Sequence, residues 1–375
     1  MTSLNHKWLR SAAAATLTLL ASVLLNAPSA GAAPALGAAQ SLAQQNYGNE
    51  SPLPVFEMHS GFWVNLHHFL YLQARLMRGN SSSMDSGRGA APPNELPASL
   101  LDFPAEQIRA WQSAVAFYAK DLAGRDLLLN GDMENINNQL AEMETCPDLE
   151  GKTTPLCKSG LRSELVAALE SAAPVYRAHW WPQQDRANRD WIAQISPMVQ
   201  QLGVELSGQL ADVYQRPWPA ARLRVDVVWY GGPYGAYTTL SPTHVTISSH
   251  DVRNQGIYGF EVLFHESSHA LAGGVNEAIA REFRKRDKPI PRDLWHALLF
   301  YTTGELLRRD LAYGTLNGVP LLGTDPTSYQ PYAERFGLYS GGWERFRGML
   351  DLYWRPYLDS KVSFDTAMAR LADEM

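Results

Sequence analysis

Cysteine is nearly absent from this sequence: Cys146 and Cys157 are the only two in 375 residues. One intrachain disulfide is therefore the most the chain can form, and a cysteine-rich metal module is excluded. Charge is sparse as well. Charged residues make up 19% of the chain and the formal net charge is −6, so nothing supports a nucleic-acid partner electrostatically. The hydrophobic fraction of 45% excludes a disordered chain and suits a folded globular one. No internal repeat is evident. The longest apolar run lies at the N-terminus and is short for a membrane span.

That run reads as a secretory signal. Lys7 and Arg10 form a basic start, Ser11 to Leu25 is rich in alanine and leucine, and Ala30-Gly31-Ala32 offers small residues for cleavage. Residues 1–32 are expected to be removed, leaving a periplasmic or secreted protein with no membrane contact. In an oxidising compartment Cys146 and Cys157 are expected to pair across the turn-rich segment between them. A two-thiolate metal site is less favoured, because no histidine adjoins either cysteine.

After a lead-in over 33–54, helical patterns run over 60–77, 104–123, 133–144, 160–181 and 183–214, the last with a break expected at Pro197. A glycine- and serine-rich loop is expected over 79–97. His67 and His68 sit on the first helix, where adjacent positions diverge and disfavour a shared ion. Trp180-Trp181-Pro182 reads as core or hinge rather than a carbohydrate platform. The period changes at Arg222. Leu223, Val225 and Val227 alternate with Arg224 and Asp226 as in a strand, and Tyr237 to Ser248 reads as an edge strand around Pro242. The expected fold class is α+β, mostly α. A helical region over 33–215 packs on a metal-binding region over 216–375 with a small sheet.

The chemistry concentrates at Val262 to Leu271, which contains His265-Glu266-Ser267-Ser268-His269. On a helix, histidines four apart lie one turn apart on one face, so both imidazoles reach one ion. Glu266 points elsewhere on the helix and is free to act as a general base on water. Chance yields H-E-x-x-H about once in a hundred chains of this length. Gly273-Gly274 is expected to end this helix and Asn276 to cap the next. A further helix is expected over 292–311.

Phe264 to Leu271, preceded by Val262, resembles the active-site helix of the zincin metallopeptidases. The resemblance is local, to about residues 222–310. It implies a bound Zn2+, a peptide or protein substrate, and an edge strand that holds extended peptide. It also implies a third ligand from a following helix, as in the gluzincin branch. Glu305 is favoured for that role, because a carboxylate deep in an apolar helix needs a partner. Glu277, which resembles a ligand-helix acid but has a sufficient role in a helix's first turn, comes second. His296 and Glu282 stand behind them; His296 lies opposite Glu305 on its helix, so the two are not expected to share an ion. Tyr234, Tyr237, His244 and His250 are candidate oxyanion partners.

The expected function is an exported zinc-dependent hydrolase, a metallopeptidase in which His265, His269 and Glu305 hold the metal and Glu266 is the base. The alternative is a cell-envelope binding protein with a structural or silent zinc site. Retention of Glu266 argues against it, since a structural site needs no base.

Overall fold

The computed structural model describes residues 55–79, 103–219, 222–313, 315–316, 319–320 and 329–375. The segment expected to be a signal and most of the loop expected over 79–97 lie outside them. All described residues belong to one compact unit.

Alternation builds the central sheet. In β2 (Leu223–Val228), Leu223, Val225 and Val227 enter one apolar core, while Arg224 and Asp226 face the other way. β1 (Phe56–His59) pairs parallel to β2, β2 pairs parallel to β4 (Thr243–Ser248), and β3 (Ala236–Leu240) closes the sheet antiparallel to β4. β1 was not expected as a strand. Four residues, Phe56-Glu57-Met58-His59, carry too little pattern to announce one, and the partner strand comes far later in the chain.

One face of the sheet carries a helical layer: α1 (Phe62–Met77), α2 (Ala105–Asp121), α3 (Gly131–Glu142) and α4 (Ser163–His179). Asn130 caps α3 by accepting from the Met133 N–H. This layer and Val228, Tyr230 and Tyr237 form one core. His67 and His68 are buried in it, and Trp180 packs on Trp111 with ring centroids 4.5 Å apart, as core rather than surface. The Cys146–Cys157 disulfide is formed beside the layer.

The other face packs on α5 (Trp181–Tyr214), α6 (Gly256–Ser268), α7 (Gly273–Lys285) and α8 (Leu294–Tyr313). α5 runs unbroken through Pro197, contrary to expectation. The missing N–H costs one helical bond. Burial of Ile195, Val199, Leu202 and Leu206 on the flanking turns offsets it. The helix carrying H-E-x-x-H ends at Ser268, and a single 3-10 turn, His269–Leu271, follows. Gly273-Gly274 starts α7 rather than ending α6, which leaves Asn276 inside a helix instead of at its cap. The C-terminal part adds α9 (Tyr332–Arg335), α10 (Glu344–Met349), α11 (Arg355–Leu358) and α12 (Phe364–Glu374), with a π-helical turn, Leu350–Trp354, between α10 and α11. The fold is α+β and mostly helical, as its sequence pattern indicates. Among the described residues no helix is long and apolar enough to cross a membrane.

Candidate metal centre

α6 and α8 lie side by side in antiparallel sense. Glu261 and His265 on the first, and His269 in the 3-10 turn that continues it, lie opposite Gly304, Phe300 and His296 on the second. Gly304 meets the Glu261 carboxyl, Phe300 stacks on His265, and His296 faces both His265 and His269. His265 Nε2 lies 3.2 Å from His296 Nε2. One ring nitrogen from each of His265, His269 and His296 falls within 4.8 Å of the other two.

Three imidazoles converging this closely would repel if protonated. Burial holds all three neutral: it lowers His265 well below the ordinary histidine value, His269 to about 3 and His296 to about 4, with mutual repulsion adding to the first two. Neutral imidazoles present lone pairs, so the donor set fits a zinc ion with a position left for a further ligand. His265, His269 and His296 are the residues that would hold it.

Glu266 stands beside this group and outside it. Its Oε2 lies 3.9 Å from His269 Nε2. Thr238 of β3 places its Oγ1 2.9 Å from both the Oε2 and the main-chain O of Glu266. Burial raises the Glu266 carboxyl to about 7 against the lowering hydrogen bond from Thr238, in the range suited to a base at neutral pH.

Glu305 is not part of the cluster. It is buried, as its apolar helix implied, but its carboxylate is paired with Arg308 and, at 3.1 Å, with Arg355. Nine residues along a helix turn a side chain to the opposite face. The face of α8 toward α6 carries His296, and Glu305 therefore points at the arginines. Glu277 is 76% exposed and 3.8 Å from Arg216. Glu282 is held by Arg281, Lys285 and Arg286, which pull its carboxyl down to about 2.

The oxyanion candidates lie elsewhere. Tyr237 and Thr238 point to opposite faces of the sheet, and the Tyr237 hydroxyl meets His68 Nε2 at 2.9 Å within the helical layer. His244 is bound to Asp226 and Asn138 on that same face. Tyr234 is 68% exposed, and His250 stacks on Trp229. β3 does lie at the sheet edge, yet Ala236 to Thr239 are buried, so the strand is not an open ledge.

Sequence reasoning missed Thr238, Glu261 and the aromatic wall. Trp295 packs on His296 and His269, and Trp343 meets His296 edge-on. One signal was legible: His296, Phe300 and Gly304 recur every fourth residue, and a mid-helix glycine there marks close approach of another chain segment.

Compared with known proteins, the chain matches no family model, no curated protein and no solved structure.

Proposed function

We propose that this chain is an exported zinc-dependent hydrolase that cleaves peptide bonds. The observation that carries the reading is the convergence of His265, His269 and His296 from two helices, with Glu266 adjacent but outside the set. A structural site has no use for a desolvated carboxylate held beside the ligands by Thr238. Zinc, when bound, supplies a Lewis acid for a water molecule and a carbonyl oxygen. Glu266 takes the proton of the attacking water on a carboxylate oxygen and returns it to the leaving nitrogen. His265 and His269 stay neutral, and the aromatic wall of Trp295, Phe300 and Trp343 limits water around the centre.

The test is metal analysis of the purified protein together with a quenched-fluorescence peptide library. Stoichiometric zinc, chelator-sensitive cleavage and its loss by at least a hundredfold in Glu266→Gln with zinc retained are the expected results. Zinc without any cleavage would replace this reading with a silent binding protein. Failure to bind zinc would remove both.

A further inference from the structure

His265 Nδ1 is a buried ring nitrogen with no hydrogen-bond partner. A histidine that binds metal through one nitrogen ordinarily donates from the other to a carboxylate, a carbonyl or water, and that bond fixes its ring. Here no such bond is made, although leaving a buried polar atom unpaired is costly. Another contact therefore holds the imidazole with its Nε2 3.2 Å from His296 Nε2. Phe300 supplies it. The Phe300 ring lies flat on His265, with centroids 3.4 Å apart and planes 14° apart. His269 and His296 are more distant ring neighbours, each with its centroid 5.1 Å from that of His265. Phe300 is itself held. Tyr332 adds a second parallel ring, 5.8 Å away and 12° off, and Phe336 packs on Tyr332 at 4.7 Å. The Tyr332 main-chain N–H donates to Glu261 Oε2 at 2.7 Å. Glu261 stands one turn before His265, so the row of rings runs from α6 through α8 to α9 and is tied back to α6.

We propose that Phe300 is a positioning residue: its flat face fixes the ring plane of His265 in place of the absent Nδ1 hydrogen bond and keeps Nε2 turned toward His296. The inference rests on reading the three histidines as a zinc site. The torsion that swings an imidazole about its Cβ–Cγ bond is broad, so without a hydrogen bond or a stacked face the ring has no fixed plane. Leucine at position 300 fills much of the same volume and offers no flat face. What it removes is the aim of His265, with no polar partner lost.

The experiment compares Phe300→Leu and Phe336→Leu with the parent. Each change removes a ring from the same row, but the Phe336 ring meets Tyr332 and Tyr258 rather than His265. Read on each protein are the His265 ring-proton shifts without metal, zinc affinity by chelator competition, and the visible spectrum of the cobalt(II)-loaded form. A role in packing alone would lower the unfolding midpoint of both variants and leave the cobalt spectrum as it was.

Expected are His265 ring protons shifted upfield in the parent, by the phenyl ring against them, and returned toward ordinary values in Phe300→Leu. Zinc should bind about 10- to 100-fold more weakly to Phe300→Leu, with an altered cobalt spectrum, and as tightly as in the parent to Phe336→Leu. A parent without the upfield shift overturns the proposal without recourse to any variant. So does a folded Phe300→Leu with zinc affinity within about threefold of the parent, and in that case the zinc site itself stands. Equal weakening in the two variants also overturns it, because general packing then accounts for the loss. A parent that takes up no zinc overturns the metal reading and this inference with it.

Discussion

Thr238 Oγ1 lies 2.9 Å from the Glu266 carboxylate and 2.9 Å from the Glu266 carbonyl oxygen. One hydroxyl of β3 thus touches both the side chain and the main chain of the residue between the two histidines of α6. The sheet is registered against the helix at Glu266. Ala236, Thr238 and Ile247 share the sheet face toward α6, and Tyr237 takes the other face.

Thr238→Val keeps the shape of this contact and removes its hydroxyl. The expected cost is about 1 kcal/mol in stability. Activity should drop about ten- to hundredfold, because a misaimed base loses most of its advantage. Zinc content should not change. Thr238→Ser should recover most of the rate. Equal activity in the valine and serine variants, measured on one peptide substrate, would remove Thr238 from the positioning of Glu266.

The buried His68 makes a pH dependence separable from the His265–His269–His296 cluster. Burial lowers it to about 4, with hydrogen bonding to the Val64 carbonyl and nearby Asp226 opposing. An unfolded histidine titrates at about 6.5. Between those values the unfolded chain holds a proton that the folded one does not, so stability falls as pH drops through that window and is complete above it. Glutamine at this position cannot take the proton. Thermal unfolding of the parent and His68→Gln at pH 7 and pH 4.5 should show the parent losing ground at the lower pH. The relative penalty approaches about 3 kcal/mol at full protonation. A constant difference across that range would contradict the burial of His68.

The Cys146–Cys157 bridge closes a short loop whose interior is already ordered. Asp148 accepts from the main-chain N–H groups of Lys152 and Thr153, each at 2.9 Å, and the Cys146 carbonyl accepts from Trp63 Nε1 at 2.8 Å. Replacing both cysteines by serine should cost about 2–3 kcal/mol through the unfolded chain's regained freedom. A lower urea midpoint is the readout. Protein from the exported fraction should take up no thiol-alkylating reagent before reduction. Two alkylated cysteines in that unreduced material would refute the pairing.

Much of this was legible because it is local. The helices of both halves follow from apolar spacing, and the His265–Glu266–His269 unit follows from four-residue periodicity. β1 was not legible, since its pairing with β2 depends on contacts made across more than a hundred and fifty residues. Pro197 misled because propensity is local while the buried face of α5 is tertiary. Gly273-Gly274 misled in the same way: glycine can end a helix or open the next, and only the 3-10 turn at His269–Leu271 decides which. The third histidine was hidden by an incomplete inference. The opposite placement of His296 and Glu305 on α8 was readable, but which of those faces meets α6 was not. Burial of Glu305 was read as a need for metal, when Arg355 arrives from the C-terminal helices to satisfy it.

That ambiguity yields the sharpest genetic test of the centre. His296→Ala should lose bound zinc and with it hydrolysis, because it removes one of three converging imidazoles. His265→Ala and His269→Ala should behave alike. Glu305→Ala should keep zinc near stoichiometric. Its cost is structural, since Arg308 and Arg355 lose a buried partner and α8 loses one of its ties to the C-terminal helices. Both arginines are more than a third exposed and keep water, so the loss is about 1–3 kcal/mol. Glu305→Gln, whose one amide oxygen still accepts from an arginine, should recover part of that while leaving zinc untouched. Metal content and unfolding midpoint measured on the same preparations separate the two roles. A zinc-free Glu305→Gln beside a fully loaded His296→Ala would reverse the assignment and return the third position to the carboxylate.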